Sequence, residues 1–249
     1  MSVTALVLAG SRPGGDPFAA ELGVTHKALI PVGGTPMLVR VVGALQAAGM
    51  ERILVSCDPG PVADIARELG AEVIAPATGP SGSVLAALDA VGTPLLVTTA
   101  DHALLRPAWV RQLLDDTPAD GDVAIMLAER RAIERALPGS RRTYLRFADG
   151  HWSGCNLFLL RGSAARAAVM EWTRVEADRK RPWRIVARLG PGLLLRYLAG
   201  RLTLAGALDR LGRRIGCRVA LVPATDGLAA VDVDKAADLR DVERLLAGR

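Results

Sequence analysis

The sequence predicts an α/β fold: a mostly parallel sheet with helices on both faces. Three observations lead there. Short aliphatic or β-branched runs alternate with helical stretches from Val3 to Leu127. Two of those helical stretches stop at a glycine, Gly49 and Gly70, in the usual C-terminal role. The chain has 249 residues, half of them apolar, with no linker, repeat or low-complexity tract. That length supports one substantial core, and a βαβα rhythm favours parallel strands joined by crossover helices.

Taken in order, Val3–Leu8 reads as the first strand. Pro36–Ala48 reads as a helix, because Met37, Leu38, Val41, Val42 and Leu45 recur near helical spacing. Strand Arg52–Ser56, helix Pro61–Leu69, short strand Glu72–Ile74, helix Ser83–Ala90 and strands Pro94–Thr99 and Val123–Leu127 follow. Beyond about residue 140 the rhythm changes. Thr143–Phe147 and Asn156–Leu160 read as strands, Ala164–Val175 as a helix, and Leu193–Leu211 as one or two helices, given Gly200 and Gly206. Arg218–Val222 is a late strand and Ala236–Leu246 a terminal helix. We read residues 1–249 as one domain, with a nucleotide-binding half to about 130 and an elaborated half over about 131–249.

Met1–Gly10 is apolar without a basic leader, so it reads as a buried strand and not a signal peptide. No apolar run reaches the roughly 18 residues of a membrane span. Cys57, Cys155 and Cys217 are far apart and odd in number, which points to neither a disulfide framework nor zinc. A cytoplasmic location is the expectation. The net charge of +5 is uneven. Arg179–Arg218 holds eleven Arg or Lys and one acid, Asp209, a net of +10; the rest of the chain nets −5. An anion is expected at that segment.

Five segments carry polar residues suited to chemistry. Leu8-Ala9-Gly10-Ser11-Arg12-Pro13-Gly14-Gly15-Asp16 follows the first strand. Glycines let a backbone approach a phosphate, and Arg12 adds a cation. The loop lacks the Lys-Ser/Thr ending of a Walker loop, and by itself it is equally a flexible turn. His26-Lys27-Ala28-Leu29-Ile30-Pro31-Val32-Gly33-Gly34-Thr35-Pro36-Met37 places a lysine before an apolar run, a Gly-Gly turn and a helix.

Together these two segments resemble the nucleotidyltransferase superfamily of molybdenum-cofactor guanylyltransferases and sugar- or polyol-phosphate cytidylyltransferases. The family pattern is Leu-Ala-Gly-Gly with a downstream Arg, then Lys-Pro/Ala-Leu-Leu-Pro-Val-Gly-Gly-Lys/Thr-Pro-Met. The resemblance covers about residues 3–105 and returns at about 230–246. It implies a Rossmann-like, nucleotide-diphospho-sugar transferase-like mixed sheet. It also implies that Arg12 and Lys27 neutralise a triphosphate wrapped by Leu8, Ala9, Gly10, Ser11, Gly14 and Gly15. Ser11 departs from the family's second glycine.

Thr78-Gly79-Pro80-Ser81-Gly82-Ser83 precedes a helix; its serines suit a helix cap or a polar ligand equally. By resemblance, Ser81, Gly82 and Ser83 contact the base and ribose. Asp101, after the apolar strand, is by resemblance the principal Mg²⁺ ligand and Asp234 in Val231-Asp232-Val233-Asp234 the second. Asp232 shares a strand face with Asp234. His102 caps or orients its loop; we do not read it as a general base. By resemblance to the family's Gly-x-Asn element, Gly154 and Asn156 contact the acceptor, beside a bland reading as a turn before a strand; Arg142, in Arg141-Arg142-Thr143-Tyr144, is a second candidate acceptor contact.

The reaction implied is attack by an acceptor phosphate on the α-phosphorus of an NTP, with pyrophosphate leaving. An ionised phosphate needs no dedicated base. The basic segment reads either as a solvated face or as the seat of a bulkier acceptor, such as a polyol-phosphate or lipid head-group precursor; the resemblance then implies a cytidylyltransferase, with a molybdenum-cofactor-type guanylyltransferase as the alternative. Residues 179–218 also suit a peripheral membrane contact, whereas nucleic acid is not expected because aromatic platforms are few. A nucleotide-binding regulator without chemistry is the rival from another class. Base, acceptor identity and oligomeric state are not read from the sequence.

Overall fold

The computed structural model describes residues 2–11, 14–140, 142–177 and 190–248. Arg12 and the basic run Arg179–Arg184 lie outside the described residues.

Strands β1 (Thr4–Leu8), β4 (Arg52–Ser56), β5 (Glu72–Ile74), β6 (Leu95–Thr99), β7 (Val123–Glu129), β8 (Leu145–Phe147), β9 (Gly150–Leu160) and β10 (Val219–Pro223) form one sheet. Its order is β10-β7-β9-β6-β1-β4-β5, with β8 pairing β9. Strands β1, β4, β5 and β6 run parallel, as do β7 and β10. Strand β9 is antiparallel to both β6 and β7. The mixed, mostly parallel sheet is the one expected. Two-residue strands β2 (Pro31–Val32) and β3 (Thr35–Pro36) form a separate hairpin across the Gly33-Gly34 turn.

Both faces are covered because successive side chains of a strand point oppositely. Ala5 and Val7 of β1 join a core with Leu38, Val41 and Leu45 of α2 (Met37–Ala47) and Trp109, Val110 and Leu113 of α5 (Pro107–Asp116). Leu6 points the other way, into a core with Val84, Ala87 and Leu88 of α4 (Gly79–Val91) and Ala165 and Val169 of α7 (Ala165–Ala177).

Most boundaries agree with the periodicity within a residue or two. Helix α3 (Pro61–Glu68) ends just before the positive-φ Gly70. Helix α4 starts four residues earlier than expected. Pro80 stands in its first turn, where a missing N–H costs nothing. Leu193–Leu211 resolves into α8 (Pro191–Leu198) and α9 (Leu204–Ile215). Gly200 turns left-handed between them, and the Thr203 hydroxyl caps α9 by accepting the Gly206 amide at 3.1 Å. Helices α1 (Pro17–Glu21), α5 and α6 (Arg130–Ala136) were not foreseen. Strand β9 begins six residues before the expected Asn156. Helix α10 (Ala236–Ala247) is the last of the described elements. Among the described residues, no helix is long and apolar enough to cross a membrane.

Candidate active site

The carboxyl ends of parallel strands collect the loops in which such sheets bind ligands. Here the loops after β1, β5 and β6 meet the segment 231–234. Short backbone bonds fix them together. The Ala9 amide donates to the Ser56 carbonyl at 2.9 Å, Ala100 to Leu8 at 3.0 Å, and Val233 to Asp101 at 3.1 Å. Gly10 permits a close approach: a Cβ there would lie 3.3 Å from the Pro76 side chain, a tight contact. Gly14 and Gly15 both have positive φ, a conformation that favours glycine. The Ser11 amide points at an anion already, the Asp58 carboxylate, 3.3 Å away.

Lys27 opens a short 3-10 turn, Lys27–Leu29. Its ammonium donates to Asp101 Oδ2 at 2.7 Å and also to Asp234 Oδ1. Three residues separated by 74 and 207 positions therefore share one centre. Lys27 is 13% exposed, Asp101 22% and Asp234 55%, so the centre opens to solvent on the Asp234 side. Burial opposes the Lys27 charge, but the two carboxylates outweigh it and hold the ammonium above the ordinary lysine range. The Thr99 hydroxyl donates to Asp101 Oδ1 at 2.5 Å, and the Asp238 carboxylate accepts the Asp234 amide at 3.1 Å. The Asp101 carboxylate is thus oriented by a neighbour on its own segment, and the Asp234 backbone is held by the first turn of α10.

Asp232 faces a different set. Arg142 donates to its Oδ1 and, at 2.8 Å, to its backbone carbonyl. Asn156 Nδ2 donates to Oδ2 at 3.1 Å. Asn156 has φ of 49°, and the β7–β9 register shifts between Ile125 and Leu127 beside it. A bulge of this kind redirects a side chain, here toward Asp232. Burial pushes the Asp232 carboxyl up despite Arg142. The expected acceptor contacts Arg142 and Asn156 are therefore engaged by Asp232, while a Cβ on Gly154 would meet open space.

Ser81 and Ser83 are also engaged. Ser81 donates its hydroxyl at 2.6 Å and its amide at 3.3 Å to Glu176 of α7. Ser83 Oγ accepts the Ala77 amide at 3.0 Å. Neither serine is the α4 cap; that position is Thr78, whose side chain makes no capping bond. Gly82 lies close to Ala77. His102 is buried, stacked on Trp109 with ring centroids 5.7 Å apart, and burial holds it neutral, down to about 4. It is a packing residue below the site.

Sequence reasoning passed over His26. Its Nδ1 accepts the Ala28 amide at 3.0 Å and so caps the Lys27 turn, while the ring also contacts the Gly10 backbone. Burial lowers its pKa, which suits a neutral cap. A polar residue before a short turn was the signal available.

With this geometry in place, the family model is decisive: the MobA-like NTP transferase domain matches residues 5–189. The chain belongs to the MobA-like NTP transferase family. Among solved structures, this MobA-like chain is similar to a hypothetical transferase from Thermus thermophilus, with 34% identity and a TM-score of 0.82 over 96% of this chain and 100% of that one. A CMP:2-keto-3-deoxy-manno-octonic acid synthetase complexed with CTP shares the fold, at 19% identity and a TM-score of 0.60 over 100% and 99% of the two chains. A curated relative is the 3-deoxy-manno-octulosonate cytidylyltransferase of Nitrobacter winogradskyi, 33% identical over 119 residues. That match spans 44% of this chain and 47% of the relative, about half its length.

Proposed function

We propose that this chain is a nucleotidyltransferase, moving CMP from CTP to a phosphorylated small-molecule acceptor and releasing pyrophosphate. One observation carries the reading: Lys27, Asp101 and Asp234 converge at the carboxyl ends of the parallel strands. The intact Lys27, Asp101 and Asp234 set argues against a regulator without chemistry. The cytidylyl choice rests on the likeness to a cytidylyltransferase over part of the chain and to a CTP-binding fold.

The donor set fits Mg²⁺. Asp101 and Asp234 offer hard oxygens near enough to share one ammonium, and such ions take one or two carboxylates with phosphates supplying further ligands. Among the described residues no larger cluster of metal-binding side chains forms, so substrate phosphates would complete the shell. When bound there, the ion would neutralise phosphate charge. The chain's own residues do the rest. The loop Leu8–Ser11 presents backbone to the triphosphate. Lys27, held charged, offers its ammonium to the α-phosphate as that oxygen gains charge. An acceptor phosphate oxygen attacks the α-phosphorus in line; the bond to the bridging oxygen breaks, and pyrophosphate leaves. Arg142 serves the acceptor by exchanging Asp232 for a phosphate.

Pyrophosphate release with CTP, GTP, ATP and UTP against a panel of polyol and sugar phosphates tests this. Turnover is expected with CTP and abolished in Asp101→Asn. Preference for GTP with a pterin phosphate would replace the cytidylyl reading, and NTP binding without turnover for any acceptor would sink the enzyme reading.

A further inference from the structure

Helix α8 carries apolar residues on two opposite sides, and the protein uses one of them. Leu193 is buried in a small cluster with Leu202 and Ala207, against Phe147 of β8. Tyr197, one turn later, meets Phe147 edge to face at 6.0 Å between ring centroids. Residues four apart share a helix face, so Leu193 and Tyr197 seat α8 on the domain. Leu195 and Leu198 lie three apart on the outer side and are 67% and 71% exposed. Leu145, 51% exposed, shares a strand face with Phe147. Single exposed leucines are ordinary; two on one face of a short seated helix form a patch.

Cations flank this patch along α8, and the nearby Asp149 carboxylate is already engaged by the Leu204 amide, at 2.9 Å. Arg196 lies within α8 and Arg201 just after it, both exposed. Between residues 190 and 208 the sequence carries these two arginines and no acid. An apolar face flanked by cations matches an anionic lipid surface, where leucines enter the acyl boundary and arginines stay at headgroup level. A second copy of the chain would bring like charges together. A nucleic acid would leave the leucines without an apolar partner. We propose that the outer face of α8 docks this protein peripherally on anionic membranes. This stands apart from the proposed reaction, because none of its residues belongs to the Lys27 centre.

The test is co-sedimentation of the full chain with vesicles of phosphatidylcholine, with and without phosphatidylglycerol. Binding is expected with the anionic vesicles alone, weakening as salt rises. Leu195→Asp/Leu198→Asp should lower vesicle affinity at least tenfold, in keeping with the burial of leucine side chains. Arg196→Gln/Arg201→Gln should lower it several-fold. The melting temperature should stay at the wild-type value in both. If the double aspartate variant fails to fold, Leu195→Ser and Leu198→Ser decide the matter singly. Any one of four results overturns the proposal: no sedimentation with anionic vesicles, equal binding to neutral ones, leucine variants that bind as wild type does, or vesicle indifference with leucine-dependent self-association or RNA retention.

Discussion

Replacing Lys27 by Met keeps the stem of the side chain and deletes its charge. Two carboxylates that now share one ammonium, at 2.7 Å in the case of Asp101, would face each other without it. Breaking a buried pair from one side costs about 3–5 kcal/mol. Asp234 is 55% exposed and Asp101 22%, so solvent screens much of this. A destabilisation of about 1–3 kcal/mol follows. In a chain of this size each kcal/mol lowers the melting temperature by about 2–4 °C, which gives a fall of roughly 2–12 °C. Added Mg²⁺ should then raise the melting temperature of Lys27→Met more than that of wild type, because the carboxylate pair has lost its internal cation. Turnover should drop by about 10²–10³. Thermal denaturation with and without Mg²⁺, beside pyrophosphate release, measures all three. A variant that melts with wild type, answers Mg²⁺ no differently and turns over normally would refute the shared-charge argument.

Three further outcomes follow from the same geometry. His102→Phe should retain activity within a few-fold and keep the Trp109 stack, since the imidazole is buried and neutral; a loss of orders of magnitude would restore a chemical role. His26→Ala should cost about 1 kcal/mol through the lost cap, with His26→Asn recovering most of it. Because burial lowers the His26 pKa, the unfolded chain binds this proton first on acidification. Wild type should therefore lose stability as pH falls below the ordinary histidine range, more steeply than His26→Asn in urea titrations at stepped pH. Arg142→Ala leaves Asp232 without its guanidinium and should destabilise by about 2–3 kcal/mol. Arg142→Ala/Asp232→Ala should regain part of that loss. If Arg142 also takes the acceptor, the double variant keeps a raised acceptor KM after stability returns.

The sheet was legible because it rests on local chemistry. Aliphatic runs such as Arg52–Ser56, and glycines such as Gly49 and Gly70 at helix ends, act over a few residues and show in order along the chain. Helix α5 was missed because its apolar Trp109, Val110 and Leu113 sit among charged residues in a short stretch. Strand β9 was clipped because Gly150 and Gly154 disguise its first half. The site residues Lys27, Asp101 and Asp234 were named through the family pattern, and their convergence on one centre is a property of the fold. The engaged states of Ser81 and Arg142 could not be read from sequence. Their partners, Glu176 and Asp232, lie 95 and 90 residues away. The sequence by itself determined the alternation of strands and helices and the residue types that reach the strand ends. Tertiary structure decided which of those side chains converge on one centre and which are engaged by distant partners, because that choice depends on distances between segments that no local spacing encodes.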